Sequence, residues 1–310
     1  MKEQDNSAAQ AYGFIITKPL QLLVALAIID QLSDVTTSDL LLVDAFLGAK
    51  DITKKLTDSH QKWRRASFFK NHEAAYKHCR RKKYDRVFVD SDVGLRKNID
   101  LIRLKLPTLK TRICVYEEGV GSYRSDLYYG LKKKLLTFVG AGTCFGGNWL
   151  TKDIYLYCPS EYTSKFPYGR VSVVQIKISI TNLIHKYDHE FDSLFDLGML
   201  RTKLTHFASK EVCDIYLTSW SWDDGAMKRL AASDSCRIVK FHPHIKTIPP
   251  LLANGFDVSV PSSIPAELLI AAAAAMFKRV RVMHHGSSVT RYLDIRNVEF
   301  IVISLTDGKR

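Results

Sequence analysis

Short apolar runs recur along the whole chain, and most of them end in a polar or glycine-containing turn. They fall at residues 13–16, 40–43, 86–89, 113–116, 153–157 and 171–178. They resume at 214–218, 237–241, 257–260, 279–283 and 298–304. Runs of this length, rich in Val, Ile and Leu, read as buried strands. Between several of them lie segments with apolar residues at helical spacing, at 20–31, 95–104, 127–139, 226–232 and 268–277. Strand–helix alternation of this kind predicts a parallel sheet covered by helices on both faces. The alternation lapses in residues 182–210, which are polar, charged and short of strand signals. That stretch reads as a crossing helix or a linker, and two Rossmann-like domains are expected, residues 1–190 and 191–310.

The totals fit this architecture. The chain has 310 residues, 46% hydrophobic and 25% charged, enough for two globular domains. Its net charge of +13 favours an anionic partner, such as nucleic acid, a phosphorylated donor or an acidic membrane face. No nucleic-acid-binding motif stands out, and the basic residues are spread along the chain. The most basic stretch, residues 51–82, reads as one helix carrying Lys62, Arg64, Arg65, Lys70, Lys77, Arg80, Arg81 and Lys82. Most of these suit a solvated face, and a membrane or acceptor surface is the sharper reading. The six cysteines are scattered without C-x-x-C spacing, which argues against a zinc site and for a reduced cytosolic setting. Residues 1–6 are polar and do not form a signal peptide. The apolar stretches 40–47 and 271–277 are too short to span a bilayer, so any membrane contact is expected to be peripheral.

Chemistry concentrates at the predicted strand ends. Val115-Tyr116 leads into Glu117-Glu118-Gly119, with Gly119 as the bend. Side chains alternate along a strand, so one glutamate can be held by the scaffold while the other enters a ligand crevice as a general base. The alternative is a solvated turn. Thr17-Lys18-Pro19 links the first strand to a helix whose N-terminus could hold an anion; an ordinary βα turn explains it equally. Asp90-Ser91-Asp92 could hold a divalent metal and a nucleotide diphosphate, or cap the next helix. Asp223-Asp224-Gly225 is a second acidic string, with Asp223 placed as a helix cap. His242-Pro243-His244 ends a strand where a histidine could protonate a phosphate, or be structural. In the segment 261–267, Ser262, Ser263 and Glu267 precede an alanine-rich helix. Its hydroxyls and free N–H groups could hold a sugar or phosphate. His284-His285-Gly286-Ser287-Ser288 reads as a phosphate seat opening onto a helix, or as a cap.

The order of these pieces resembles the bacterial sialyltransferases of the GT-B type, most closely glycosyltransferase family 52, the lipooligosaccharide and capsule sialyltransferase group. The marks are Glu117-Glu118-Gly119, His242-Pro243 and Ser287-Ser288, with Thr17 to Leu23 and Ser262 to Leu269 as further matches. The resemblance spans nearly the whole chain. It implies a GT-B fold with a cleft between an N-terminal acceptor and base domain and a C-terminal CMP-sugar-binding domain. It implies transfer of sialic acid from CMP-sialic acid to a glycan or glycolipid terminus such as galactose, with inversion and without a metal or other cofactor. Glu118, second of the catalytic pair with Glu117, would deprotonate the acceptor hydroxyl. His242 would neutralise or protonate the departing CMP phosphate, which Ser287 and Ser288 would hold. Lys240, Ser262, Ser263 and Glu267 would contact cytidine, ribose or phosphate. Thr17, Gln21, Gly119 and Pro243 would shape the substrate sites.

The chain departs from that family in having Glu-Glu where many relatives carry Asp, in His244 after the His-Pro pair, and in its shortness. The expected setting is cytoplasmic, at or near the inner face of the membrane. Rival readings are transfer of another CMP-linked ulosonic acid such as Kdo, a metal-dependent transferase using Asp90 and Asp92, and a non-catalytic basic α/β anion-binding protein.

Overall fold

The computed structural model describes residues 10–32, 36–58, 63–107, 109–167, 169–242, 245 and 255–304. The chain forms two compact units, the first ending at Ile178 and the second starting at Ser179. Each is built on an all-parallel sheet, as the alternation predicts.

In the first unit the elements run β1 (Gln10–Ile16), α1 (Pro19–Leu32), β2 (Thr36–Val43), α2 (Ala49–Asp58), β3 (Trp63–Phe69), α3 (His72–Lys82), β4 (Arg86–Val89) and α4 (Leu95–Lys105). Then come β5 (Arg112–Tyr116), α5 (Gly130–Phe138), β6 (Thr151–Leu156), α6 (Pro159–Lys165) and β7 (Ser172–Gln175). The sheet order is β3-β2-β1-β4-β5-β6-β7. Strand order therefore reverses between β1 and β4, and open α/β sheets hold ligands at the carboxyl ends of strands beside such a switch. Helix α1 starts with Pro19, whose missing N–H costs nothing there, and it is buried on nearly every side. Gly13 in β1 lets Tyr84 lie against the backbone; a Cβ there would meet the ring at 2.9 Å.

The basic stretch 51–82 is not one helix. It holds α2, β3 and α3, with residues 59–62, including Lys62, outside the described residues. Strand β3 is a sheet edge, and Arg64 on it makes two hydrogen bonds, at 2.7 and 2.9 Å, to the buried Asp39 carboxylate of β2. Tyr84 donates to the same carboxylate at 2.7 Å. An edge strand can carry charges on its open side, which hides it from an apolar-run search.

In the second unit, α7 (Ile180–Lys186), α8 (Asp188–Phe195) and α9 (Leu197–Thr205) precede β8 (Val212–Leu217), α10 (Asp224–Ala231), β9 (Cys236–Lys240) and β10 (Val258–Ser259). Then come α11 (Ala266–Ala274), β11 (Arg279–His284) and β12 (Val298–Val302). The sheet order is β10-β9-β8-β11-β12, with the switch between β8 and β11. Residues 182–210 are thus three short helices rather than a linker. Two of them, α7 and α9, pack on α11, so the unit begins at Ser179, ahead of the expected 190/191 division. Asp223 is a cap as expected, accepting from the Ala226 N–H at 2.7 Å. Among the described residues, no helix is long and apolar enough to cross a membrane. The expectations for residues 1–6, Pro243 and His244 lie outside the described residues.

Candidate active site residues

The acidic pair divides as alternation along β5 requires. Glu117 is fully enclosed, accepting from the Tyr123 hydroxyl at 2.5 Å and the Tyr157 N–H at 2.7 Å. These bonds tie the end of β5 to the end of β6, so Glu117 is held within the scaffold. Glu118 turns the other way, half-buried, with Oε2 2.6 Å from the Lys18 ammonium that follows β1. Burial pushes its pKa up, the Lys18 ammonium pulls it down, and the net result is raised. Its carboxylate is a stronger base than that of a free glutamate, with the Lys18 ammonium restraining the rise.

The chain around it shapes that carboxylate. Gly119 sits at φ 113°, ψ −152°, a backbone region that side chains exclude. Ser122 is buried and its Oγ accepts from the Glu118 N–H at 2.9 Å. A Cβ on Gly121 would lie 2.5 Å from Glu118 Oε1, so only glycine leaves the carboxylate where it is.

Beside Glu118, at the β1/β4 switch, is a second charged group. Asp90, at the end of β4, lies 2.8 Å from Lys97 Nζ and 3.2 Å from His72 Nε2. Burial pushes the Asp90 carboxyl up, but His72 and Lys97 outweigh it and hold the group at about 2. Thr17 donates from its backbone N–H and from its hydroxyl to Gln21 Oε1, at 2.9 and 2.8 Å, and its hydroxyl is 3.4 Å from Asp90. Gln21 is fully buried and its Nε2 has no hydrogen-bond partner. Thr17, Gln21 and Glu118 thus share one strand-end surface with Lys18, His72, Asp90 and Lys97. Sequence reasoning missed Lys18, His72 and Lys97 as site residues. His72 opens α3, which the single-helix reading of 51–82 had submerged.

Asp92 has a different job. It is buried and accepts from the Gly146 and Asn148 N–H groups at 3.0 and 3.1 Å and from the Thr151 hydroxyl at 2.8 Å. Asp90 and Asp92 therefore serve separate hydrogen-bond networks. Among the described residues, no cluster of three or more His, Cys, Asp or Glu could hold a metal ion.

In the second unit the expected residues lie at the carboxyl ends of β8, β9, β10 and β11. His242 follows β9; its N–H donates to the Thr218 hydroxyl at 2.7 Å, and its ring stacks on Trp220 with centroids 5.4 Å apart. Glu267 is buried in the first turn of α11, and burial pushes it up to about 7. Lys240 is its electrostatic neighbour; burial pulls the ammonium down to about 8. Ser262 and Ser263 are half-buried ahead of α11, as are Ser287 and Ser288 after β11.

The serine turn opens onto only a four-residue 3-10 turn, Ser288–Arg291, not onto a helix. Ser287 caps this turn, its hydroxyl accepting from the Val289 N–H at 3.4 Å, and the Tyr292 and Leu293 N–H groups both close on the Val289 carbonyl. The Ser287 N–H is also taken, donating to His284 Nδ1 at 3.0 Å. His284 is therefore neutral with its proton on Nε2, consistent with burial lowering its pKa. The serine hydroxyls, rather than backbone N–H groups of a helix, are what this turn offers.

No protein-family model matches the chain, and no curated protein matches it in sequence. Its fold does have solved counterparts. It is similar to the crystal structure of an α/β-galactoside α-2,3-sialyltransferase from the luminous marine bacterium Photobacterium phosphoreum, at 14% identity and a TM-score of 0.59, covering 94% of this chain and 90% of that one. A weaker likeness is to a Listeria monocytogenes protein assigned as a UDP-N-acetylglucosamine 2-epimerase, at 8% identity and a TM-score of 0.48, covering 91% of this chain and 81% of that one. The chain has the GT-B fold, two Rossmann-like units of seven and five parallel strands.

Proposed function

We propose that the protein is an inverting glycosyltransferase that moves sialic acid from CMP-sialic acid to a hydroxyl on a glycan or glycolipid terminus, such as galactose. The observation that carries this is Glu118. It is a carboxylate of raised pKa at a strand end beside the β1/β4 switch, in a chain that shares its fold with a sialyltransferase.

In this reading Glu118 takes the proton of the acceptor hydroxyl, whose oxygen then attacks the anomeric carbon. Lys18 favours the ionised form of Glu118 through their ion pair and, half-exposed, can swing aside when the acceptor arrives. His242, held by Thr218 and Trp220, meets the departing phosphate and supplies positive charge or a proton. The Ser287 and Ser288 hydroxyls donate to the same phosphate. Glu267 and Lys240 suit the nucleoside: a carboxylate for ribose hydroxyls and an ammonium for a ring carbonyl or the phosphate, with Ser262 and Ser263 beside them. Thr17 and Gly119 shape the acceptor side, with Gln21 buried behind Thr17 and fixing it. CMP carries one phosphate, so no cation bridging two phosphates is needed, and Asp90 is already engaged by His72 and Lys97. Another CMP-linked ulosonic acid would meet the same groups.

The test is CMP release from CMP-sialic acid with galactose-terminated acceptors in EDTA, beside a donor panel of CMP, CDP, UDP and GDP sugars. Release of CMP that persists in EDTA supports the reading. Turnover only with a nucleoside diphosphate sugar and Mn²⁺ would replace it with a metal-dependent transferase.

A further inference from the structure

Residues 129–149 carry a surface that neither the fold nor the proposed reaction explains. Six large apolar side chains there face solvent: Tyr129, Leu131, Leu135, Phe138, Val139 and Trp149, with Phe138 88% exposed. Leu131, Leu135 and Phe138 are spaced four and three apart on α5, so they form one stripe. It is not the packed face of the helix. The buried residue of α5 is Leu136, which lies well round the helix from the stripe at 3.6 residues per turn. Trp149 adjoins the C-terminal end of α5. Its N–H donates to the Gly140 carbonyl at 3.2 Å, and its indole covers Gly140, where a Cβ would lie 2.6 Å from the ring.

Lysines predominate around the stripe, and the carboxylate at its edge, Asp126 beside Tyr129, is paired with Arg124. Between Asp126 and Asp153 every charged residue is a lysine: Lys132, Lys133, Lys134 and Lys152. Lys132 and Lys134 flank the stripe, and Lys132 lies over the Tyr128 ring at 5.0 Å. A groove of about 700 Å³ beside α5 adds Lys152 and Arg170 next to Trp149; its third cation, Lys165, is paired with Glu161 at 2.7 Å.

We propose that this face of α5 docks the protein on an anionic lipid surface, with Leu131, Leu135, Phe138 and Trp149 entering the headgroup–acyl boundary and the lysines meeting lipid phosphates. Apolar area and cationic charge on one interfacial helix are the two signals that together give stable peripheral binding. Lysine stems flanking the stripe can lie along the apolar layer while their ammonium groups reach the phosphates. A second copy of the chain fits less well, because a two-fold contact through α5 would oppose two lysine triplets.

The experiment is co-sedimentation of the whole protein with vesicles of phosphatidylcholine containing about 30% phosphatidylglycerol, against phosphatidylcholine alone. Binding is expected only with the anionic vesicles and is expected to weaken with salt. Phe138→Asp, and separately the combined change of Lys132, Lys133 and Lys134 to Gln, should each weaken it about tenfold or more. Both changes fall on exposed side chains, so thermal melting should be unaltered. Quenching of tryptophan fluorescence by brominated lipid should fall in Trp149→Phe. Equal binding by wild type and Phe138→Asp, or no binding to any vesicle, would overturn the proposal. So would a dimer in light scattering that Phe138→Asp dissolves, which would give the face to a second copy. Neither donor nor acceptor is present, so failure here leaves the proposed reaction untouched, and failure of that reaction leaves this result untouched.

Discussion

Glu118 shows how neighbours set the basicity of one side chain. Burial raises its pKa and the Lys18 ion pair restrains the rise, so its basicity is a balance of two opposed effects. Glu118→Gln should lower kcat by about 10²–10⁴-fold with little change in melting temperature, as expected for loss of a general base. Lys18→Met removes the restraint, so the acid limb of the kcat–pH profile should move to higher pH; an unmoved limb would separate Lys18 from the base.

Glu267 gives a prediction about stability. Its folded pKa, about 7, lies above the 4.5 of a free glutamate, so the folded chain holds that proton more tightly. Its contribution is full below pH 4.5 and is lost as pH rises through about 7. Glu267→Gln should therefore be close to neutral at pH 4 and stabilising by about 2–3 kcal/mol at pH 8, measured by urea unfolding. Asp90 has the opposite sign, since its folded pKa is depressed to about 2. Asp90→Asn should cost about 2 kcal/mol at pH 7, and that cost should fade as pH falls through the window below 3.8 toward 2.

At the level of elements, the site depends on how each strand ends. β5 ends in a bend that only Gly119 can make, and the following turn brings Gly121 under the Glu118 carboxylate. Gly121→Ala should displace that carboxylate and lower kcat/KM by about tenfold or more, because small misplacements of a reacting group are costly. The change in melting temperature should be modest, and a crystal structure of the variant should show the carboxylate moved. The sequence marked this bend through its glycines and its paired glutamates, and β5 itself through its unbroken apolar run. It did not mark β3, whose charged residues sit on a sheet edge and imitate a basic helix. Nor did it mark the roles of Asp90 and Asp92, adjacent in pattern yet divided between a His72–Lys97 cluster and a loop clamp.

Each unit carries its own core, one around residues such as Ile15, Val87, Val115 and Ile154, the other around Tyr216, Leu230, Val239 and Met283. A buried truncation should therefore be felt mainly within its own sheet. Ile215→Ala, at a fully buried position in β8, should cost about 2–5 kcal/mol. Hydrogen exchange should quicken in β8, β9, β11 and β12 and change less in β1 to β7. Equal acceleration in both sheets would show that the units unfold as one.

The fold class was legible because burying a strand on both faces demands an unbroken apolar run, and that demand is local. The identity of the candidate residues was legible for a related reason: they follow those runs directly, at strand ends where parallel sheets present side chains to a ligand. What the sequence could not decide was which way each charged group faces and what stands beside it. The division of labour between Glu117 and Glu118, the engagement of Asp90 by His72 and Lys97, and the proximity of Glu267 to Lys240 depend on strand order and on loops meeting from distant parts of the chain. Those meetings set burial and Coulomb energy, which no local pattern contains, and they decide which carboxylate is locked into the scaffold and which keeps a tuned, partly exposed charge.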